Sequence, residues 1–429
     1  MNNKKIFTNV SWIVIGRAVQ MTLTFITTML VARYLGPAEN GKLIYVYSYI
    51  QLFLPLCTLG LNDIVVKELI DNREKNDEII GSIIIMRIMA SLICMICSVA
   101  LVSLLNDDPS SRIIAILQSF ALLFQSFDCL IYFYQSKLLS KRSGIAYALA
   151  YTFSSLFRVV VIITGKGTYW FAFAYAFDFL MVASLLLAMY RIDGYSFRFS
   201  ISTSKYLLQK SHYYIFAGLL VVIYGKVTDT LLLGKMVNEE TVAYYAAGTT
   251  LCNAWPFLLT AIIDSLSPVI IDTYKKDQEE FKIRLKQLYA LIFYISTLVA
   301  IGVSILSGPV IMIVFGKDYA AGSIPMKIYS WSTAFSYIGV ARAIWMQCEG
   351  KTRFETVISM FGAITSIVLN YVLIKSFGIS GAALAAVLTQ FLTNFVFLFT
   401  MKETRENAKL ILDAIMLKGV LSRRGESNV

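Results

Sequence analysis

The chain has 429 residues, of which 57% are hydrophobic and 15% are charged, and its mean hydropathy is +0.67. Soluble domains are closer to half apolar and a quarter charged, so this composition excludes an ordinary soluble protein. The formal net charge of +11 is divided among short loops, which does not produce the concentrated basic surface of a nucleic-acid-binding protein.

Apolar windows of about twenty residues recur along the chain, and this is the length that a helix needs to cross a bilayer. Because the runs are continuous rather than alternating, they predict helices and not barrel strands. The first window contains Arg17 and no small-residue cleavage site follows it, so we expect a span there and not a signal peptide. Twelve spans are predicted, at about 10–32, 42–62, 79–105, 112–135, 143–164, 168–190, 213–234, 242–271, 287–315, 322–348, 355–374 and 380–401.

The distribution of lysine and arginine between alternate loops predicts the orientation in the membrane. The loops on the side of the two termini carry several times as many of these residues as the loops on the other side. Both termini are therefore expected in the cytoplasm. The seven basic residues expected outside are Arg33, Lys42, Arg112, Lys166, Lys235, Lys317 and Lys375.

The chain divides into two similar halves of six spans at a polar loop over residues 191–212. Pro55 and Pro256 lie at matching positions in the second span of each half, where each could bend its helix or mark a simple packing kink. The glycine-containing turns 165–167 and 377–381 also match. An even number of spans in each half makes the predicted repeat parallel.

The expected fold is an all-α integral membrane protein with twelve transmembrane helices in two six-helix bundles, arranged as an alternating-access transporter. The N-terminal bundle is expected over residues 1–200 and the C-terminal bundle over residues 201–401. A cytoplasmic tail is expected over residues 402–429.

Ten charged side chains lie inside the predicted spans, where each costs roughly 2.5–3.5 kcal/mol at a helix centre. A chain rarely keeps such residues without a use. Six cations against four anions leave a cationic surplus, which favours an anionic cargo over a cationic one. The ten are Arg17, Arg87, Asp128, Arg158, Asp178, Lys226, Asp229, Asp264, Lys327 and Arg342.

Several of these charges share a helix face with other polar residues, and such a polar stripe cannot face lipid. Each stripe lines either a helix contact or a wet cavity. Stripes run through Arg17, Gln20 and Thr24 in the first span, through Tyr147, Tyr151 and Arg158 in the fifth, and through Asn253 and Asp264 in the eighth. The candidates for substrate binding are Arg17, Gln20, Thr24, Arg158, Lys226, Asn253 and Arg342. The candidates for ion coupling are Asp178, Asp229 and Asp264.

Structural explanations compete with these functional ones. Lys226 and Asp229 are three residues apart on one helix and could neutralise each other. Asp128 and Asp178 could pair with Arg158 inside the first half.

Three further cations, Arg87, Lys327 and Arg342, lie near span ends, where anchoring to headgroups is favoured over a cavity role. Tyr147 and Tyr151 could stack on sugar rings. The only histidine is His212, so a histidine-based metal site is excluded, and no metal or cofactor is expected.

Short motifs near the N-terminus carry a family resemblance. They are Asn9-Val-Ser-Trp12, Arg33-Tyr-Leu-Gly-Pro37 with Gly41, and Leu59-Gly-Leu-Asn62 with Lys67-Glu68. They resemble the polysaccharide transporter family, the Wzx-type flippases of bacterial O-antigen and capsule export. That family belongs to the same superfamily as lipid II flippases and multidrug/toxin extruders.

The resemblance implies a flippase that moves undecaprenyl-pyrophosphate-linked oligosaccharide repeat units from the cytoplasmic to the periplasmic leaflet of the bacterial inner membrane. The resemblance also implies that transport is coupled to an ion. A polysaccharide polymerase and a chain-length regulator are the partner proteins that it implies. The alternatives are a drug or cation antiporter and a flippase for another lipid-linked precursor. The cationic surplus disfavours the antiporter. An enzyme is not expected, because the outward loops are short and no catalytic constellation is present.

Overall fold

The computed structural model describes residues 3–420, except for the side chains of residues 3–8, 10, 63 and 226. In this part of the chain the regular structure is helical and no β-strand occurs. The chain forms two compact units, Met1–Val222 and Ile223–Val429. The second unit therefore begins later than the expected boundary after residue 200, because residues 201–222 pack with the first unit.

The first unit consists of long apolar helices joined by short connections. Its apolar core lies around Phe133 and Tyr190, both fully buried. Its helices are α1 (Asn3–Leu52), α2 (Leu54–Thr58), α3 (Asn62–Asp71), α4 (Asn76–Leu105), α5 (Pro109–Gln125), α6 (Cys129–Ser136), α7 (Ser140–Ile163), α8 (Thr168–Ile192) and α9 (Ile201–Tyr224). Helix α9 is held to this unit by the ion pair of Lys210 Nζ with Glu68 Oε1, at 2.7 Å.

The second unit is built in the same way, around a core that contains Trp345 and Tyr289. Its helices are α10 (Lys226–Met236), α11 (Glu239–Cys252), α12 (Phe257–Lys276), α13 (Gln278–Phe315), α14 (Ser323–Tyr329), α15 (Ser332–Cys348), α16 (Arg353–Phe391) and α17 (Arg405–Ile415). Helix α17 packs on α13, where Asn407 Nδ2 donates to the Tyr289 hydroxyl at 2.8 Å. The expected tail therefore starts with a helix of the second unit, and residues 421–429 lie outside the described part.

Each predicted span coincides with one helix or with helices separated by a short break. Among the described residues, eight helical stretches are long and apolar enough to cross a membrane, or nine when the bent pair Ile201–Tyr224 and Val227–Met236 counts as one span. Ser11–Leu52 and Arg353–Phe399 each contain two predicted spans. The remaining span is divided between the short helices α14 and α15.

Glycines with positive φ make the turns inside the two longest helical stretches. Gly36, at φ 74°, separates the first two spans within α1, and Pro37 begins the second of them. Gly378, at φ 54°, separates the last two spans within α16. Gly165, at φ 66°, makes the equivalent turn between α7 and α8 of the first unit.

In both units, the helices of the second and fourth spans are interrupted. The helix of the second span is interrupted at Phe53 in the first unit, just before Pro55, and before Pro256 in the second unit. Both helices are therefore interrupted near the prolines, since proline lacks the N–H that would continue the helix. The fourth span breaks at the 3₁₀ turn Ser126–Asp128 in the first unit and between α14 and α15 in the second.

Candidate functional site

A cavity of about 660 Å³, lined by charged, polar and apolar side chains, lies in the first unit. It lies at the end of the unit where α1, α4 and α7 begin, and its volume is typical of a small-molecule site. The charged and aromatic lining side chains are Arg17, Arg87, Asp128, Tyr132, Tyr147, Tyr151 and Phe179, and the amide side chains are Gln20, Asn62, Gln125 and Gln135.

Two glycines at the crossing of α1 and α7 shape this cavity. A Cβ added to Gly16 would lie 2.9 Å from the Gly144 Cα, and one added to Gly144 would lie 2.6 Å from the Trp12 carbonyl oxygen. Such small residues let two helix backbones approach closely in a membrane. The crossing brings Arg17, the next residue of α1, and Tyr147, one turn along α7, to the same cavity.

The motif Asn9-Val-Ser-Trp12 joins α1 to the beginning of α7. Asn9 Oδ1 accepts a buried hydrogen bond from the Ser140 backbone N–H at 2.7 Å, which satisfies one of the free donors of the helix start. Lys141 Nζ lies 5.5 Å from the centre of the Trp12 ring. These contacts set the register of α7 against α1, and with it the position of Arg17.

Arg17 lines the cavity together with Gln20, one turn along α1. The Arg17 side chain is exposed and forms no ion pair with the described residues. Thr24 belongs to the same predicted stripe, but it is exposed and lies outside the cavity lining. The first two members of the stripe thus line the cavity and the third does not.

Arg87 is a cavity residue that the sequence assigned to headgroup anchoring. Its side chain is 1% exposed, and its Nη2 donates to Asn62 Oδ1 at 2.6 Å. Its Nε has no partner among the described residues. The anchoring prediction is wrong, because the guanidinium lies inside the bundle, where Asn62 and the cavity take the place of headgroups.

Arg158 and Asp178 form the ion pair that the sequence left open as an alternative. Two hydrogen bonds of 2.7 Å join the guanidinium of α7 to the carboxylate of α8. Neither residue lines the cavity of the first unit. The contact corrects the assignment of Arg158 to cavity binding and of Asp178 to ion coupling, since each satisfies the other. Asp128, the other possible partner of Arg158, lines the cavity instead.

Arg342 of the second unit is also paired. It is 3% exposed, its Nη2 donates to Glu355 Oε2 at 2.8 Å, and its Nη1 donates to Asn394 Oδ1 at 3.1 Å. Both the headgroup and the cavity predictions for Arg342 are therefore corrected, because a carboxylate on α16 neutralises it inside the unit. The predicted substrate-binding side chain of Lys226 lies outside the described residues.

Asp229 lies in a buried polar cluster of the second unit. It is 4% exposed, and it accepts hydrogen bonds from the Tyr245 hydroxyl at 2.5 Å and from Asn370 Nδ2 at 2.8 Å. A space of about 40 Å³ adjoins it, with Thr389 and Gln390 in the wall. Asn370 Oδ1 and Thr389 Oγ1 are buried without a hydrogen-bond partner.

The other candidates of the second unit are exposed. Asn253 lies at the break between α11 and α12, and Asp264 lies on α12. Their assignments to substrate binding and ion coupling stay predictions. The described residues contain no cluster of three or more histidine, cysteine or acidic residues that could hold a metal ion.

Solved transporter structures share this fold. The lipid II flippase MurJ, in an inward closed conformation, matches with a TM-score of 0.72 at 15% identity, covering 96% of this chain and 92% of that one. An inward-facing multidrug resistance MATE family transporter of the MOP superfamily matches with a TM-score of 0.72 at 12% identity, covering 93% and 99%. A MOP superfamily transporter from Pyrococcus furiosus gives 0.63 at 12% identity, covering 95% and 96%. The fold is that of this class of membrane transporters.

The family follows from the sequence match. The model of the family described as "Polysaccharide biosynthesis protein" matches residues 6–274. The chain belongs to this family, which confirms the resemblance based on the N-terminal motifs. The uncharacterized membrane protein YabM of Bacillus subtilis (strain 168) is 24% identical over 414 residues, which cover 87% of this chain and 77% of that protein.

Proposed function

We propose that the protein moves undecaprenyl-pyrophosphate-linked oligosaccharide repeat units of an O-antigen or capsule from the cytoplasmic to the periplasmic leaflet of a bacterial inner membrane. The observation that carries the proposal is the cavity of the first unit, which combines two arginines with the paired rings of Tyr147 and Tyr151. Arginine forks match phosphate oxygens, and tyrosine offers an apolar face with a polar tip. The polysaccharide biosynthesis family and the fold shared with a lipid II flippase support this cargo.

The depth of the two arginines supports transport across the membrane rather than binding at its surface. At 1.5 Å per residue, Arg17 lies about 10 Å inside its predicted span, which begins near residue 10, and Arg87 lies about 12 Å inside its span, which begins near residue 79. Charges held this deep are expensive and mark substrate paths. In the orientation expected from the basic loops, with both termini cytoplasmic, the cavity belongs to the cytoplasmic half, from which the cargo is taken. A polymerase and a chain-length regulator would act on the cargo after transport.

Coupling to a proton or a sodium ion is proposed at Asp229. Its carboxylate is buried, and Asn370 Oδ1 and Thr389 Oγ1 offer free oxygen atoms in the same part of the second unit. Carboxylate, carbonyl and hydroxyl oxygens are the ligands that hard cations prefer. Because this cluster lies in the second unit and the cationic cavity in the first, ion and cargo would occupy separate sites.

A drug or cation antiporter is the competing function, because MATE transporters share the fold. A cationic drug would be repelled by Arg17 and Arg87, while the single carboxylate of Asp128 offsets only one of them. The cavity charge therefore favours the flippase. A flippase for a different lipid-linked precursor has the same physical requirements, and the genes beside this one would distinguish the two.

Replacement of Arg17 tests the proposed function. Arg17→Ala removes a cavity cation without breaking an ion pair, so it should abolish surface polysaccharide in a strain that depends on this gene, with membrane abundance unchanged. Arg17→Lys should restore part of the polysaccharide, because it returns the charge without the bidentate geometry. Polysaccharide would be measured by gel staining and protein abundance by immunoblot.

The matched control is Arg112→Ala, which removes an exposed arginine near the beginning of α5, away from the cavity. This variant should export normally. Normal export by Arg17→Ala at equal abundance would contradict the proposal.

A further inference from the structure

Asp128 is a carboxylate in a cavity whose other charged side chains, Arg17 and Arg87, are cations. The 3₁₀ turn Ser126–Asp128, which breaks the fourth span, places it there. Its carboxylate forms no ion pair or hydrogen bond with the described residues, although Arg87 lines the same cavity. Where the same unit neutralises the half-buried Arg158, it does so with two hydrogen bonds of 2.7 Å to Asp178. Asp128 and Arg87 are not joined in this way.

Arg87 faces Asp128 with most of its hydrogen-bonding capacity unused. A guanidinium has five N–H donors, and the Asn62 side chain accepts from only one of its nitrogens. The Nε is buried and has no partner in the described part of the chain, and buried donors left without an acceptor are costly. Arg87 and Asp128 both line the cavity, and the described residues provide neither of them with an oppositely charged partner. A ligand in the cavity could therefore interact with both charged groups.

The opposite charges of the two groups restrict what that ligand is. A bare phosphate would satisfy Arg87 and be repelled by Asp128, whereas a cation would satisfy Asp128 and be repelled by both arginines. A ligand that presents an anion beside an O–H or N–H donor satisfies both sides. The junction of a sugar with its phosphate has this chemistry, because hydroxyl or acetamido groups lie next to the phosphate oxygens.

The aromatic wall of the cavity is suited to the same junction. The rings of Tyr147 and Tyr151 are stacked with centroids 6.0 Å apart at 29°, and both residues line the cavity. Their faces offer an apolar surface for the C–H face of a sugar ring, while Gln20 and Gln125 offer amides for further hydroxyls.

We infer that Asp128 recognises the first sugar of the cargo while Arg87 holds the adjoining phosphate. Asp128 accepts a hydrogen bond from a hydroxyl or an acetamido N–H of that sugar. The cavity thereby selects the sugar-loaded carrier over the bare carrier lipid, which has the phosphate but no donor. This inference rests on the proposed function and adds a specificity residue to the same cavity.

Two matched soluble probes test the inference: geranyl pyrophosphate, and geranyl pyrophosphate linked to N-acetylglucosamine. Each would be titrated into the full-length protein in lipid nanodiscs, with binding followed by calorimetry. The wild-type protein should bind the sugar-linked probe about 10-fold more tightly, the size of one hydrogen bond to a charged group. Asp128→Asn should remove most of this preference and tighten the binding of geranyl pyrophosphate.

Two further variants separate recognition from folding. Arg87→Lys should weaken both probes to a similar degree, because the phosphate is common to them. Asp107→Asn removes an exposed carboxylate from the loop before α5 and should leave both affinities unchanged. Asp128→Ser is smaller and neutral, and it should lose the preference for the sugar-linked probe in the same way as Asp128→Asn. It therefore provides the test if Asp128→Asn folds poorly.

An unchanged ratio of the two affinities in Asp128→Asn would overturn the inference, as would an equal loss for both probes. If the wild-type protein bound neither probe, the proposed function itself would fail. If it bound both probes equally, only the recognition of the sugar would fail.

Discussion

The charged residues inside the spans differ in what satisfies them, and this difference separates structural residues from candidate binding residues. Arg158 and Arg342 each have a carboxylate partner within 2.8 Å. Ion pairs inside a protein roughly break even in stability, and each of these two neutralises its arginine within one unit. Arg17, Arg87 and Asp128 have a cavity instead of a charged partner. An incoming ligand would therefore be attracted to these three side chains.

A prediction at the residue scale concerns Asp229. Asp229→Asn preserves the size of the side chain but removes its charge, so a cation is no longer attracted to the site. We expect export that no longer responds when sodium or proton gradients are collapsed with ionophores, or export that is lost altogether. The measurement is the rate of polysaccharide appearance at the cell surface with and without the ionophores.

The comparison variant is Asp264→Asn, which neutralises an exposed carboxylate of the same unit and should retain the response to ionophores. Wild-type rate and response in Asp229→Asn would remove Asp229 from the coupling mechanism. Loss of the response in Asp264→Asn instead would transfer the role to Asp264.

At the scale of helices, the spans were predictable and the pairing of their polar residues was not. Hydropathy depends on local composition, so the twelve windows coincide with helices. Local chemistry alone also indicated the turn at Gly378, and it left Pro55 open between a bend and a packing kink. The contact of Arg87 with Asn62 depends on a turn at Leu59 and Gly60, both at positive φ, followed by the short helix α3. No periodic pattern within α4 indicates that Asn62 lies opposite Arg87.

Contacts between different helices also explain why the sequence did not assign the partner of Arg158. Arg158 and Asp178 are separated by a turn and lie on different helices, so sequence left several pairings open for them. Their contact depends on the depth at which α7 packs against α8. The residues of the motif Asn9-Val-Ser-Trp12 indicated the family but not their structural role. That role depends on a contact between two helices, in which Asn9 accepts a hydrogen bond from the first amide of α7.

A prediction at the helix scale concerns the crossing of α1 and α7. Gly144→Val places a branched side chain against the Trp12 carbonyl, and overpacking of this kind typically costs about 1–3 kcal/mol. We expect a lower thermal unfolding temperature in detergent and reduced export. Unfolding would be followed by intrinsic fluorescence.

Gly302→Ala is the control, because nothing lies within 4 Å of a Cβ at that position of α13. It should leave stability unchanged or raise it by up to about 1 kcal/mol through better helix propensity. A Gly144→Val protein with wild-type stability would show that the close approach of α1 and α7 is not needed.

At the scale of the whole molecule, the two units carry different polar sites on related helical frameworks. Both break their second and fourth spans. The break in the fourth span of the first unit brings Asp128 into a cavity with two arginines, whereas the second unit buries Arg342 with Glu355 and holds Asp229 in a small cluster. The proposed anion-binding site thus lies in one unit and the proposed ion site in the other.

Transport by the purified full-length protein in unilamellar vesicles tests the proposed function directly. The vesicles would contain a fluorescent polyprenyl-pyrophosphate-linked oligosaccharide in both leaflets, with sodium and proton gradients imposed, and a membrane-impermeant reductant would be added outside. With the wild-type protein, we predict that the fluorescence of both leaflets is lost as the inner pool is moved outward. Protein-free vesicles and vesicles with Arg17→Ala should lose only the outer-leaflet fluorescence. If vesicles with the wild-type protein kept the fluorescence of the inner leaflet, as protein-free vesicles do, the proposed transport activity would be ruled out.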